Sequence, residues 1–558
     1  MVRWKTWLLL SILIHVVTKI DAVEVTINQG KLAGTILQSR NATKFYAFFG
    51  IPYAKPPIGE LRFQPPQEPD KWNGVRNATI LPPSCLQKNV FNKASSEVIG
   101  SEDCLYLNIY TPSIQRENNY NNLPVMVYIH GGSFLNGNGK MYQGSYFMDY
   151  PMVLINFNYR LGPLGFLSTV DEELPGNYGM KDQVAALKWV QENVAIFGGD
   201  PKQVTIFGHS AGGVSVHLHL YSPLSKGLFQ RAIAQSGSAL TIWAQVAPHV
   251  ARQRAFAFGL LSGCPTQSSR VLVNCLRKIP AEDIIHTVDK FWVWDFDPLI
   301  SFGPVIESKS IHNAFLIENP RKQKIINNVP LIIGTTSGEG GIRAARYYSN
   351  NGTLVKKVNE QYKRIMPVTL IYGFVLPHEK IDTVTDELKK FYFGNKEIGL
   401  ETSKEFVDML TDSLFLFHCV EAALRNKEIT YFYYYDHLNK FSLNNLLGNY
   451  PGNLGVCHGD DIISFFPVFG FRTSHESDTN VSRRLVNYWV NFATNGNPGE
   501  SEHLWQPITS NEMNYLHITS KEDKLEKYLL KDKYEFLKNL QLIHSHSAES
   551  LPTLKDEL

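Results

Sequence analysis

The chain has 558 residues, of which 44% are hydrophobic and 19% charged, and no low-complexity tract interrupts it, so it encodes a folded protein with a large core. Its formal net charge is +2 and no basic stripe with interleaved aromatic side chains is present, which argues against nucleic-acid binding. Because no Pro/Ser-rich linker or charge block divides the sequence, we expect one large domain over residues 23–550.

Both ends of the chain carry targeting signals. Two basic residues precede an apolar run from Trp7 to Val17, and the segment ends near Ala22, which predicts a cleaved signal peptide over residues 1–22. The run is too short to span a bilayer about 30 Å thick, so an uncleaved membrane anchor is the less favoured alternative. A tail over residues 551–558 ends in Lys-Asp-Glu-Leu. The KDEL receptor binds this signal and returns proteins that carry it to the endoplasmic reticulum. We therefore expect a protein of the endoplasmic reticulum lumen, with secretion of a fraction that escapes retrieval.

Sequons and cysteines agree with a secretory route. Four Asn-X-Ser/Thr sequons predict glycosylated surface loops at Asn41, Asn77, Asn351 and Asn480. The six cysteines can form disulfides in an oxidising compartment, and the pairs close in sequence are Cys85 with Cys104 and Cys264 with Cys275. Each such bridge is expected to stabilise the fold by about 3 kcal/mol. We expect buried free thiols at Cys419 and Cys457, a third bridge being the less favoured alternative.

Hydrophobic periodicity predicts a β-rich N-terminal part. Residues 23–27 and 31–36 alternate like a β-hairpin around a turn at 28–30. The near-continuous apolar runs 123–130 and 152–159 are typical of strands buried on both faces. These two strands are expected at the centre of a sheet.

Helices and strands alternate in the following part of the chain. Apolar residues recur at helical spacing over 181–194, a β-branched and aromatic run covers 204–207, and a helix can follow over 211–220. A later strand is predicted over 329–334 and a helix over 485–492. This order of elements predicts the α/β fold class.

A glycine-flanked serine lies between the predicted strand and helix. Residues 208–212 are Gly-His-Ser-Ala-Gly, which matches G-x-S-x-G, the pattern that places a serine on a sharp strand-to-helix turn. The helix after the turn would direct its positive N-terminal end toward an oxyanion formed beside the serine. Ser210 is therefore predicted to be a nucleophile.

The partners of such a serine follow in the order acid, then histidine. His458 lies in a glycine-flanked loop, where its imidazole can act as general base toward Ser210. For the acid we predict Glu339, directly after the strand over 329–334, with Glu307 as its rival. The triad Ser210, Glu339 and His458 predicts acyl transfer through a covalent intermediate, without a cofactor.

A glycine-rich loop precedes the nucleophile. Residues 130–134, His-Gly-Gly-Ser-Phe, follow a buried strand and match the loop that supplies oxyanion-hole amides in lipases and esterases. The predicted donors are the backbone amides of Gly132, Ser133 and Ala211. Losing one such donor typically costs about 3–4 kcal/mol in the transition state.

Longer blocks make the chain resemble the carboxylesterase/cholinesterase family. They are residues 49–54, 101–108, 158–162, 176–183 and 234–238, within a resemblance that runs from about Val25 to about Gln506. The resemblance implies an α/β-hydrolase fold, in which helices flank a large central, mostly parallel twisted β-sheet with insertions.

The resemblance also implies roles for individual residues. It implies the triad and the two disulfides given above, and it places Ser236 beside the catalytic groups and Trp243 on the acyl pocket. It further implies two buried ion pairs, Arg62 with Glu102 and Arg160 with Asp182.

Three departures from the family pattern bear on the substrate. No tryptophan lies between Cys85 and Cys104, so the cation-π platform for a choline ester is missing. His209 stands where the family usually has an acid, which removes a buried negative charge and is expected to change the pH profile. Ser133 replaces the usual third glycine of the oxyanion loop and is expected to narrow the acyl side.

These features predict a carboxylesterase of broad specificity for short to medium uncharged small-molecule esters. A specialised hormone, pheromone or lipid ester hydrolase is the alternative. A non-catalytic adhesion member of the family is a remote one, because every triad position is intact. The oligomeric state is not predictable from these features.

The remaining motifs carry no function in this interpretation. Residues 137–140 lack the glycine spacing of a phosphate loop, and 544–546, His-Ser-His, form no zinc pattern, so no metal site is predicted. His217 and His219 are two apart on a helix and point to different faces. The charge-rich run 521–538 has leucines at helical spacing and predicts a peripheral helix.

Overall fold

The structure is a computed structural model that describes residues 23–88, 97–114, 122–448, 450, 452–499, 504–509 and 512–542. The predicted signal peptide, the Lys-Asp-Glu-Leu tail and the histidines of 544–546 lie outside the described residues. No helix within the described ranges is long and apolar enough to cross a membrane.

Fifteen strands are described, and most of them join one sheet. They are β1 Val23–Ile27, β2 Gly30–Gln38, β3 Lys44–Pro52, β4 Val75–Asn77, β5 Gln87–Lys88, β6 Val98–Ile99, β7 Tyr106–Thr111, β8 Leu123–Ile129, β9 Val153–Phe157, β10 Gly199–His209, β11 Arg231–Gln235, β12 Leu331–Thr336, β13 Thr430–Tyr435, β14 Asn514–Ile518 and β15 Asp523–Lys527.

Fifteen α-helices are found among the described residues, most of them between strands in the chain order. They are α1 Gly162–Phe166, α2 Tyr178–Asn193, α3 Ala211–Tyr221, α4 Pro248–Leu261, α5 Ser269–Leu276, α6 Ala281–Thr287, α7 Gly341–Glu360 (kinked at 349–352), α8 Tyr362–Thr369, α9 His378–Phe393, α10 Ser403–Thr411, α11 Phe417–Arg425, α12 Asn444–Leu447, α13 Ile462–Phe465, α14 Glu476–Asn495 and α15 Lys531–Leu540.

The large sheet has the strand order β1-β2-β3-β7-β9-β8-β10-β11-β12-β13-β14-β15, with β4 paired to β2. From β9 to β14 each strand runs parallel to its neighbours, whereas the pairs at both ends, other than β2 with β4, are antiparallel. The prediction of a large, mostly parallel sheet in an α/β fold is confirmed.

The central strands are buried on both faces, as their apolar runs predict. Every residue of β8, β9 and β12 is buried. Because side chains alternate across a strand, Ile206 of β10 joins one apolar cluster and its neighbour Phe207 joins the other. The sheet therefore separates two hydrophobic cores, one on each face. Packing on both faces fixes the positions of the strand ends that carry the site.

Most of the sequence-predicted elements are confirmed, and one is wrong. The hairpin, the two central strands, and the helices within α2, α3 and α14 are present. The run 521–538 is not one helix, because β15 pairs antiparallel with β14 and only α15 is helical. The error has a physical reason: an edge strand exposed to solvent carries the same charged side chains as a surface helix.

The cysteines, the sequon asparagines and the helical histidines each have a defined place in the structure. Both predicted disulfides are present, Cys85–Cys104 and Cys264–Cys275, while Cys419 and Cys457 are buried free thiols. The four sequon asparagines, Asn41, Asn77, Asn351 and Asn480, are all exposed. The prediction that they lie in loops is wrong for Asn77, which ends β4, and for Asn480, which lies in α14, because a sequon specifies no backbone conformation. The helical histidines His217 and His219 are both buried, which fits core roles.

Candidate active site

The serine lies on a sharp turn between β10 and α3. Ser210 has φ 61° and ψ −124°, and its amide donates to the carbonyl of Gln235 at 2.8 Å, which ties the turn to the end of β11. A Cβ on Gly212 would lie 2.0 Å from the Ile129 carbonyl oxygen of neighbouring β8. Glycine is therefore required there, because any side chain would separate the helix from the strand.

Glutamate and histidine meet at the carboxyl edge of the same sheet. Glu339 follows β12, and its Oε2 accepts a hydrogen bond from Nδ1 of His458. The other oxygen, Oε1, accepts from Ser236 Oγ at 2.6 Å and from the Thr336 amide at 2.7 Å. Glu339 is 0% exposed and His458 4% exposed. The carboxyl group is thus held on both oxygens, which fixes the imidazole orientation.

Burial sets the protonation states of this pair in opposite directions. It raises the pKa of Glu339, which the hydrogen bonds from Ser236 and Thr336 oppose. It lowers the pKa of His458 below its usual value near 6.5, because a charged imidazolium loses hydration there. The imidazole is therefore neutral at neutral pH, the form that a general base requires.

The histidine packs against the elbow through the residue next to the serine. The ring centroids of His209 and His458 are 4.4 Å apart. In the described part of the chain, no hydrogen bond joins the Ser210 hydroxyl to His458, and such contacts are often long in ligand-free structures. Ser210 itself is partly exposed.

The glycine-rich loop lies against the same turn. A Cβ on Gly131 would come 3.0 Å from the Ser210 Cβ, and Gly132 has φ +113°. Among the described residues, no hydrogen bond uses the backbone amides of Gly132, Ser133 or Ala211. Because Ala211 begins α3, its amide has no intrahelical partner. Three unused donors therefore border the serine.

Two aromatic side chains form a wall beside the histidine. Trp243 is buried, and its Nε1 donates to the Leu414 carbonyl at 2.9 Å. The Phe415 ring lies 5.6 Å from the Trp243 ring and 4.6 Å from the His458 ring. Sequence reasoning missed Phe415, because one phenylalanine in an apolar helical stretch carries no distinguishing signal.

The position before the serine has an acid nearby after all. His209 Nε2 lies 4.0 Å from Oδ1 of Asp461, and both atoms are buried without a hydrogen-bond partner. The other Asp461 oxygen accepts from Gln235 at 3.2 Å and Tyr433 at 3.1 Å. Burial, and then the charge of Glu339, raises the pKa of Asp461 to about 7. A second carboxyl group thus stands by the site, three residues after His458, a position that sequence reasoning overlooked.

The rival acid lies in a different network. Glu307 pairs with Lys181 Nζ at 2.6 Å and accepts from Asn177 at 2.8 Å, and it does not contact His458. Both ion pairs implied by the resemblance are present, Arg62–Glu102 at 2.6 Å and Arg160–Asp182 at 2.7 Å. No cluster of three or more His, Cys, Asp or Glu suited to a metal ion occurs in the described ranges.

Comparison with known proteins agrees with this arrangement. The sequence model of the carboxylesterase family matches residues 21–537. The chain is 38% identical over 507 residues to Esterase FE4 of Myzus persicae, covering 89% of this chain and 88% of that protein. It is 36% identical over 522 residues to the juvenile hormone esterase of Tribolium castaneum, covering 88% of each.

A solved structure shares the fold. The juvenile hormone esterase of Manduca sexta, crystallised with OTFP covalently attached, superposes with a TM-score of 0.83 at 26% identity, covering 93% of this chain and 99% of that one. Its α/β-hydrolase fold is therefore also the fold of this protein. The chain belongs to the carboxylesterase family and is a serine carboxylic ester hydrolase.

Proposed function

We propose that Ser210 attacks the ester carbonyl while His458 takes its proton and Glu339 holds the imidazole in place. The observation that carries this proposal is the buried Glu339–His458 hydrogen bond beside the elbow serine. His458 then protonates the leaving alcohol, and a water molecule hydrolyses the acyl-enzyme by the same route in reverse.

The negative charge formed on the carbonyl oxygen is stabilised by the amides of Gly132, Ser133 and Ala211. Their lack of other partners among the described residues supports this role, since pre-oriented donors cost no reorganisation during the reaction. The N-terminal end of α3 adds a favourable dipole at the same point.

Single substitutions test the assignment. Ser210→Ala or His458→Ala should lower kcat by about 10⁴-fold or more, because each removes a group that acts in the transition state. The thermal unfolding midpoint of each variant checks that it is folded. Near-normal turnover by a folded variant would remove that residue from the mechanism.

For the substrate, we propose short to medium uncharged esters of broad structure. The aromatic pair Trp243 and Phe415 supports an apolar acyl site, and uncharged His209 offers nothing to attract a cation, since burial holds its pKa well below the usual value. A specialised hormone, pheromone or lipid ester remains the second candidate, which two juvenile hormone esterases among the similar proteins favour. Kinetics on aryl and alkyl esters, choline esters and one long-chain ester distinguish these: activity confined to one long-chain ester would contradict breadth.

For the location, we propose the lumen of the endoplasmic reticulum for a single domain over residues 23–550. Two disulfides and four exposed sequon asparagines support a secretory route. Deleting residues 555–558 should release the enzyme to the culture medium, because the KDEL receptor no longer retrieves it. Unchanged retention of that deletion variant in cells would contradict this.

A further inference from the structure

The wall beside the catalytic histidine is built on an unusual turn. Residues Asp412–Leu416 form a π-helical turn between α10 and α11. Leu414 supplies the carbonyl that holds Trp243, and Phe415 places its ring 4.6 Å from His458. Such wide turns are rare and often occur at functional sites. The position of this turn therefore sets the shape of the acyl side.

The same turn reaches the loop of the acid. Thr411, the last residue of α10, accepts a hydrogen bond on Oγ1 from the Gly340 amide at 2.9 Å. Gly340 is the residue after Glu339. A displacement of this segment would therefore change the positions of Glu339, His458 and Trp243 together.

The first residue of the turn is anchored by the C-terminal helix. Asp412 is 1% exposed, and its Oδ2 accepts from Lys533 Nζ of α15 at 3.0 Å and from Tyr392 of α9 at 3.0 Å. Lys533 also pairs with Asp408 at 3.2 Å. Within the described ranges, Lys533 is the one cation at ion-pair distance from Asp412. Lys533 thus lies between two neighbouring carboxylates, and Asp408 has a second partner in exposed Lys404 at 2.8 Å, whereas Asp412 has none among the described cations.

We propose that Lys533 is a positioning residue, remote in sequence from the site, that determines acyl-group selectivity by holding the π-helical turn in register. The proposal rests on the proposed function of Trp243 and Phe415 as the acyl wall. Without Lys533, Asp412 loses the charge that lowers its pKa against burial, keeps only the hydrogen bond from Tyr392 and still faces Asp408, so a buried carboxylate at this position is destabilised.

Movement of the Asp412 carboxyl group toward water would change the conformation of the turn. Asp412 can regain hydration by moving toward solvent, which draws the start of the turn with it. If the π-helical turn reverts to regular α-helix, each following side chain rotates by about 100° around the helix axis. Phe415, three residues on, would then leave the His458 ring. The acyl pocket would change shape while the elbow and the oxyanion loop stay in place.

Lys533→Met tests this, because it keeps most of the apolar stem and removes the charge. The measurement is kcat and KM for p-nitrophenyl esters from acetate to decanoate, which share one leaving group. We expect the ratio of kcat/KM between long and short acyl chains to change by about tenfold or more. Lys538→Met, an exposed lysine on the same helix, is the matched control and should keep the wild-type ratio.

Two further variants separate positioning from general stabilisation. Lys533→Arg should restore the wild-type ratio, and adding Asp412→Asn to Lys533→Met should move the ratio back, because the unpaired charge is gone. A wild-type ratio in Lys533→Met, whatever its unfolding midpoint, overturns the proposal. If Lys533→Met does not fold, Lys533→Gln replaces it, because it also removes the charge: a changed ratio supports the proposal and a wild-type ratio overturns it. If Ser210→Ala loses activity while Lys533→Met keeps the wild-type ratio, the proposed function stands and only this inference is rejected.

Discussion

Ser236→Ala is expected to weaken catalysis by removing one of the donors that hold Glu339. The buried carboxyl group accepts from Ser236 at 2.6 Å, from the Thr336 amide at 2.7 Å and from His458, so the variant keeps the last two. A hydrogen bond to a charged group contributes about 1.5–3 kcal/mol, which corresponds to a loss of about 10- to 160-fold in kcat/KM.

The pH dependence of this loss gives a sharper test. The Ser236 hydrogen bond lowers the pKa of Glu339, so its removal raises that pKa and leaves less carboxylate at a given pH. The deficit of Ser236→Ala relative to wild type should therefore shrink as pH rises, measured as kcat/KM on one p-nitrophenyl ester.

Ser238→Ala is the matched control, because this buried hydroxyl contacts Thr241 and the His418 carbonyl instead of Glu339. If Ser236→Ala retained wild-type kcat/KM to within about twofold across the whole pH range, Glu339 would not depend on this donor and the reasoning would be refuted.

Three other predictions concern the base, the core and the elbow. Because burial lowers the pKa of His458, the imidazole proton signals of His458 should titrate with a midpoint below pH 6.5 when followed by NMR; a midpoint above 6.5 would contradict this. Arg160→Met leaves Asp182 buried without its counter-charge, so urea unfolding should show a loss of about 3–5 kcal/mol, whereas Arg270→Met at an exposed ion pair should change the free energy of unfolding far less; equal losses would argue against the buried pair. Gly212→Ala should abolish turnover, because its Cβ would overlap a strand carbonyl at 2.0 Å, and an active, folded variant would show that the elbow tolerates displacement.

The local parts of the site were predictable from sequence because their signals are local. The elbow needs glycines around Ser210, and the oxyanion loop needs Gly132, where φ is +113°. Glu339 could be chosen because it follows a predicted strand, and His458 because it lies between glycines. Both stand in the chain order that the family shows, serine, then acid, then histidine. Their mutual hydrogen bond is a property of the folded sheet, since 119 residues separate them.

What sequence could not predict depends on contacts between distant segments. Phe415 and Asp461 become part of the site only because the turn Asp412–Leu416 and the residue before α13 both approach the elbow and His458 in the folded protein. The expectation that His209 simply removes an acid from this position was incomplete for this reason, since Asp461 places a buried carboxyl group, whose pKa is raised to about 7, beside His209. The strand β15 was missed because its pairing with β14, rather than its own sequence, decides its conformation.

Covalent labelling of Ser210 tests the catalytic assignment most directly. The folded enzyme is incubated with diethyl p-nitrophenyl phosphate, the released p-nitrophenol is followed over time, and the modified peptide is located by mass spectrometry. We predict one diethylphosphoryl group per chain, attached to Ser210, formed rapidly in wild type and far more slowly in folded His458→Ala. A label on another residue, or equal labelling rates in the two proteins, would contradict the proposed nucleophile and its base.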